Sequence, residues 1–187
     1  MSRKPVLDIT PLTLETATGT TKAALEATKA RMGMVPNMYF YMAKLPGVLE
    51  GYLSTYDSFR KTAGFTPAEQ EIVFLTVSRT NDCEYCMAAH SMIADKRSGV
   101  APDVLAALRA NKALPDAKLQ ALSRFVQTMV ETRGNATRAD VDAFLAAGYG
   151  EQQVLGVVLG IACKTFSNFV NHLAATEIDP GFAAYKV

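Results

Sequence analysis

The sequence predicts an all-α protein, on three observations. No segment of the 187-residue chain alternates apolar and polar residues as a half-buried strand would. Apolar residues instead recur at helical spacing, as in Val48, Leu49, Tyr52, Leu53, Tyr56 and Phe59. Helix punctuation is frequent, the clearest case being Thr66-Pro67-Ala68-Glu69, with Thr at the N-cap, Pro at the first helical position and Glu at the third.

Taken in order, residues 1–12 read as an extended N-terminal arm holding Pro5 and Pro11. Thr13 to Met32 reads as a helix rich in Ala and Lys, broken by Gly33-Met34-Val35-Pro36-Asn37. Met38 to Lys44 is a short helix ended by Leu45-Pro46, and Gly47 to Thr62 an amphipathic one closed by Ala63-Gly64-Phe65. The Thr66 start predicts a helix to about Thr80, followed by another from 83 to about 97 that Gly99 ends. Helices are expected at 102–110, 116–133, 137–147 and 151–174, with 179–187 as a tail. Residues 13–178 thus form a single domain.

An internal repeat is legible. Ala63-Gly64-Phe65 followed by Glu69-Gln70-Glu71-Ile72-Val73 resembles Ala147-Gly148-Tyr149 followed by Glu151-Gln152-Gln153-Val154-Leu155. A slide of 82 positions pairs Glu71 with Gln153, Cys83 with Thr165, Cys86 with Asn168 and His90 with His172. It predicts two related helical halves about a pseudo-two-fold axis, the second having lost its thiols.

Composition narrows the function. The sequence is 49% hydrophobic, enough for a substantial core, and its formal charge of +1 suggests neither nucleic acid nor an anionic membrane as partner. The beginning, Met-Ser-Arg-Lys-Pro-Val, has no apolar stretch of the secretory kind, and no uninterrupted apolar run reaches the roughly 18 residues of a membrane span. Three cysteines do not form a disulfide framework, so the expected location is cytoplasmic, where a Cys-x-x-Cys is catalytic or metal-binding.

That pair is the centre of the reading. Cys83, Cys86 and His90 stand at i, i+3 and i+7, on one helical face, with Asn81 or Asp82 as N-cap. A helix N-terminus favours a thiolate. A free thiol near pKa 8.5 is only a few per cent ionised at neutral pH, and a fall of about two units raises that roughly twentyfold. Cys86 is then the candidate nucleophile, His90 takes its proton, and Glu71 holds or relays it. Attack on a peroxide O–O bond gives a sulfenic acid, which Cys83 condenses to a disulfide. Glu71 lies beside Ile72, Val73, Phe74 and Leu75, and by itself reads as the exposed edge of its helix. Two alternatives stay open: small buried hydrophobes with a capping His, or zinc held by Cys83, Cys86, His90 and Glu71, which lacks the second ligand pair of a structural site. Cys163 reads as core, and His172 as a structural histidine.

The pattern Glu71-x11-Cys83-x2-Cys86-x3-His90 resembles the AhpD-like alkylhydroperoxidases of the carboxymuconolactone decarboxylase family. Gly33-Met34-Val35-Pro36-Asn37 and Leu45-Pro46-Gly47 resemble its peroxidase-related branch, so the likeness covers about residues 30–175. It implies a two-repeat helical fold, trimeric or hexameric assembly, and hydroperoxide reduction in antioxidant defence. By position Cys86 matches the peroxidatic cysteine, Cys83 its more exposed resolving partner, and Glu71 and His90 the proton relay. AhpD itself has a His immediately before the second Cys where this chain has Tyr85, whose hydroxyl is the candidate stand-in. No cofactor is expected beyond the Cys83–Cys86 disulfide and an external thiol reductant, a lipoyl protein in AhpD. Other functions kept open are a general disulfide reductase or redox sensor, and a non-redox enzyme acting through Glu71 and His90 like the decarboxylase branch. Tyr39, Phe40 and Tyr56 are candidate apolar walls, and residues 34–59 a candidate subunit interface.

Overall fold

The computed structural model describes residues 4–187, so Met1 to Arg3 of the expected arm lie outside the described residues. Nine α-helices and one 3-10 turn are present among the described residues, with no strand: α1 Gly19–Met32, α2 Asn37–Met42, α3 Pro46–Thr62, α4 Pro67–Thr80, α5 Glu84–Lys96, α6 Pro102–Arg109, α7 Ala117–Glu131, α8 Arg138–Ala146, α9 Glu151–Ala174 and the 3-10 turn Pro180–Tyr185.

The fold is organised around α4. Every residue from Glu69 to Ser78 is buried, because α5, α7 and α9 pack around it, with α6 against its end. Its start follows the sequence signature: Thr66 Oγ1 accepts from the Glu69 N–H at 3.3 Å, while the Glu69 carboxylate accepts from the Thr66 N–H at 2.9 Å. Its end is a sharp turn in which Asp82 adopts a left-handed φ of 53°, and the Cys83 N–H donates to Ser78 O at 2.8 Å. The turn sends α5 back across α4 and sets Cys83 at the N-cap of α5.

The long α9 lies across α2, α3 and α4. Gly160 makes that approach possible: a Cβ there would stand 2.8 Å from Val73 Cγ1 and 2.9 Å from Phe59 Cε2. By length and composition alone α9 could cross a membrane, but its inner face is core, including the fully buried Val157, Cys163 and Lys164.

Two expectations need correcting, and the chain ends add detail. The first helix begins at Gly19 rather than Thr13, because Thr13 and Thr16 bond each other's backbone and side chains in a turn. The segments read as an arm and a tail both dock on the helices: Val6 N–H and Leu7 N–H donate to Leu173 O, and Phe182 is buried against α5. The repeat is local. Gly64 and Gly148 both take left-handed φ before a helix start, and the Gln153 side chain caps Gly150 N–H as Glu69 caps Thr66. Beyond that α9 runs unbroken where α4 and α5 are separated by the 81–83 turn, so Gln153 sits at a helix start and is no counterpart of the buried Glu71.

Candidate active site

Four helices contribute. From the N-terminus of α5 come Cys83 and Cys86, both free thiols and each 1% exposed, with His90 one turn beyond Cys86 and also buried. The Cys83 side chain borders an open cleft of about 540 Å³, shared with Asp82, Tyr85, Asn171 and Thr176. Cys83 is therefore no more exposed than Cys86, contrary to expectation, but it is the thiol on the cleft side.

Glu71 of α4 is fully buried, which overturns its reading as an exposed edge. Its partners explain why: Oε2 meets His90 Nδ1 at 2.8 Å, and Oε1 accepts from Arg60 Nη2 of α3 at 2.5 Å. Arg60 is held in turn by Gln70 Oε1 at 3.0 Å and Tyr56 Oη at 2.9 Å, with its guanidinium over the Tyr56 and Phe74 rings. Burial alone would raise the Glu71 carboxyl, but the charges and hydrogen bonds of His90 and Arg60 outweigh it and hold the pKa low. Burial, reinforced by the Lys164 charge, pushes His90 below its ordinary value against the pull of Glu71. The two tendencies conflict, since His90 can lower Glu71 by charge only when protonated. We assign a neutral His90 beside an ionised Glu71, because Arg60 alone supplies a permanent cation to that carboxylate. Nδ1–H then donates to Glu71, which leaves Nε2 free to accept a proton.

The third wall is a polar stripe on α9 that the sequence reading missed. Lys164, Ser167, Asn168 and Asn171 are all buried, at i, i+3, i+4 and i+7 of a helix whose other inward residues are apolar. Asn171 Nδ2 donates to Cys86 Sγ at 3.3 Å, and Asn168 bridges to Asn81 at 3.0 Å. That spacing of polar residues in an apolar helix was the available signal.

The two thiols are inequivalent. Burial would raise Cys86, but a hydrogen bond from Cys83, the Lys164 charge and a bond from Ser167 carry it well below the ordinary thiol value. Cys83 moves the opposite way, raised first by its hydrogen bond to Cys86 and then by burial. Cys83 thus keeps its proton and donates it to a Cys86 thiolate. Cys163 is raised to about 11 by burial and is core.

Tyr85 points elsewhere. Its hydroxyl donates to Asp179 Oδ2 at 2.5 Å, and Asp179 also accepts from the Asn37 N–H at 3.1 Å. Tyr85 also lines a second cavity of about 280 Å³ with Tyr39, Tyr52, Tyr56 and His90. Phe40 is absent from that wall; its carbonyl accepts from Leu12 N–H instead. Among the described residues no cluster of three His, Cys, Asp or Glu side chains is arranged to hold a metal.

An all-helical protein with a buried, asymmetric thiol pair beside a carboxylate–imidazole pair is what the fold and site define. Residues 46–127, the stretch from α3 to most of α7, match the carboxymuconolactone decarboxylase family. The match is confined to that segment, and the chain as a whole has the AhpD-like fold. It is similar to an uncharacterized peroxidase-related protein of Ralstonia eutropha JMP134 with an alkylhydroperoxidase AhpD core, at 20% identity and TM-score 0.84 over 96% of this chain and 95% of that one. A peroxidase-related protein of Silicibacter sp. TM1040 superposes at TM-score 0.72 and 22% identity, covering 97% and 96%. The debrominase Bmp8, in a cysteine-to-alanine variant bound to 2,3,4-tribromopyrrole, does so at TM-score 0.78 and 17% identity, covering 96% and 95%. These likenesses are of fold. No curated protein matches the chain.

Proposed function

We propose that the protein is a thiol-dependent peroxidase that reduces alkyl hydroperoxides. The observation that carries this reading is the buried free thiol pair with Asn171 donating to Cys86 Sγ and the Glu71–His90 pair one turn beyond, and the opposite displacement of the two thiols supports Cys86 as the thiolate. The Cys86 thiolate attacks the outer peroxide oxygen; the O–O bond breaks, and the alkoxide leaves with a proton passed through His90, so that thiolate, ROOH and H⁺ give sulfenic acid and ROH. Cys83 then forms the S–S bond and releases water. An external dithiol reduces the disulfide; no cofactor takes part.

Two openings reach the neighbours of Cys86, which itself lines neither, and each suits one half-reaction. The tyrosine-walled cavity reaches His90 and offers apolar walls to an alkyl group. The larger cleft reaches Cys83, where a thiol or lipoyl reductant would attack. We also propose a homo-oligomer, joined by the outer face of α9, where Leu155, Val158, Phe169 and Leu173 are exposed on one stripe. This moves the proposed interface away from residues 34–59, where Met38, Tyr39, Met42, Leu49, Tyr52 and Phe59 are core. A reducing compartment such as the cytoplasm would keep the pair cycling.

A second reading follows from the fold shared with a debrominase and from the aromatic cavity that reaches His90. A thiol pair can also debrominate an aromatic ring, two thiols and one C–Br bond giving a disulfide, C–H and HBr. The test is a thiol count on pre-reduced protein with tert-butyl hydroperoxide and, in parallel, tribromopyrrole. Loss of two thiols with peroxide, absent in Cys86→Ser, is the expected result. Thiols that survive excess peroxide would end the peroxidase reading, and bromide release in the parallel arm would replace it.

A further inference from the structure

Lys164 is the one charged side chain of the site that no hydrogen bond satisfies. It is fully buried at the middle of α9, its Nζ has no hydrogen-bond partner, and it stands over the Phe74 ring, 5.4 Å from the centroid. An ammonium in such a place is costly unless an anion stands near it. Glu71 is already engaged by Arg60 and His90. The titratable groups around Cys86 are Cys83, Tyr85 and His90 from the turn and α5, Tyr52 from α3, and Lys164 and Cys163 from α9. Glu71 and Arg60 stand behind His90. Among these, Lys164 is the cation without a carboxylate and Cys86 the acid without its proton. Both sit against the same stripe: two turns beyond Lys164, Asn171 donates to Cys86 Sγ.

We infer that Lys164 is the counter-ion of the Cys86 thiolate and thereby sets the reduction potential of the Cys83–Cys86 pair. The inference rests on the reading of Cys86 as a redox thiolate and names what holds it so. Reduction by a dithiol converts the disulfide to one thiol, one thiolate and one released proton, with the dithiol becoming a disulfide. Forming the protein disulfide removes the negative charge that Lys164 balances in this reading, so the reduced form is favoured and the disulfide is readily reduced, as for other pairs with a stabilised thiolate. The same charge adds to burial in keeping His90 neutral. Lys164 touches neither substrate nor reductant; it is a positioning residue.

The test compares Lys164→Met and Lys164→Arg with the parent in two readouts. One is the pH profile of iodoacetamide alkylation, resolved to the Cys86 peptide. The other is the equilibrium of the pair with dithiothreitol. Lys164→Met is expected to raise the alkylation midpoint by about one pH unit or more and to shift the equilibrium about tenfold toward disulfide, which is about 30 mV for this two-electron couple. Lys164→Arg, keeping the charge, should restore most of both. Unchanged values in Lys164→Met would overturn the inference. A stability cycle guards against a variant that fails to fold: Cys86→Ser removes the anion, so adding Lys164→Met should raise the melting temperature of that background. A fall instead would also sink it. No arm uses peroxide. A protein inert to hydroperoxide but showing these shifts would end the peroxidase reading and leave the role of Lys164 standing.

Discussion

Replacing Glu71 by Gln tests the electrostatics of the site with almost no change in shape. The carboxylate is fully buried and accepts from Arg60 at 2.5 Å and from His90 at 2.8 Å. A neutral amide keeps one acceptor oxygen and turns its NH₂ toward the other donor. One charge-assisted bond is lost, about 1.5–3 kcal/mol, and breaking a buried ion pair from one side costs about 3–5 kcal/mol in all. The Arg60 side chain is 20% exposed and keeps Gln70 and Tyr56, which places the expected loss at the low end, about 3 kcal/mol. For a domain of this size that is a fall in melting temperature of roughly 6–12 °C. The pH dependence has a definite sign. The Glu71 pKa is lowered on folding, so its contribution is present above the ordinary value of 4.5 and is lost as pH falls through the lower folded value. The gap between parent and Glu71→Gln should therefore narrow on acidification. Urea unfolding followed by circular dichroism at pH 7 and at pH 3–4 measures both. A loss below about 1 kcal/mol at pH 7, or a gap that widens in acid, would refute the assignment of an ionised Glu71.

Four further outcomes are expected. Gly160→Ala should cost about 1–3 kcal/mol by thermal unfolding, because its Cβ would overlap Val73 and Phe59, whereas Gly47→Ala, with nothing within 4 Å, should be neutral or stabilising by up to about 1 kcal/mol. Tyr85→Phe leaves buried Asp179 with the Asn37 amide as its remaining donor, and should lower stability at pH 7 by about 1–3 kcal/mol while sparing Cys86 alkylation. His90→Gln should slow thiol loss to tert-butyl hydroperoxide by about a hundredfold or more with the Cys86 alkylation midpoint still below the ordinary thiol range, as expected if His90 moves the leaving-group proton and Lys164 holds the thiolate. A Phe169→Glu, Leu173→Glu double variant should dissociate the proposed oligomer in light-scattering chromatography without unfolding it, since both side chains are about half exposed.

What the sequence made legible was local. The start of α4 was readable because Thr66, Pro67 and Glu69 each satisfy or remove an orphan N–H at that end. Cys83, Cys86 and His90 were readable as neighbours because they lie at the N-cap and in the first two turns of one helix. Contacts between helices were not. Glu71 among Ile72, Val73, Phe74 and Leu75 looked like an exposed edge, because nothing in that stretch reveals Arg60 eleven residues earlier, the cation that makes burial tolerable. The polar stripe of α9 was overlooked for a related reason: amid apolar residues Lys164 and Asn171 pass as a solvent-facing edge until α4 and α5 are seen to cover them. The α4–α5 break at Asp82 and the unbroken α9 were both legible, and it is this difference that the 82-position slide passed over.

The charge balance of the site explains why these features occur together. In the reduced state two cations, Arg60 and Lys164, face two anions, the Glu71 carboxylate and the Cys86 thiolate, with His90 neutral between them. The pairs differ in one respect. Arg60 and Glu71 are joined by a direct hydrogen bond and hold through the whole cycle, while Lys164 has no bonded partner and its anion is the reacting atom. Sulfenic acid and disulfide each discharge Cys86, so each leaves the ammonium uncompensated until the thiolate returns. A buried lysine with a fixed carboxylate would stabilise all states alike and drive nothing. A buried lysine whose only counter-charge is the nucleophile stabilises one state, the one that must be regenerated for the next turnover.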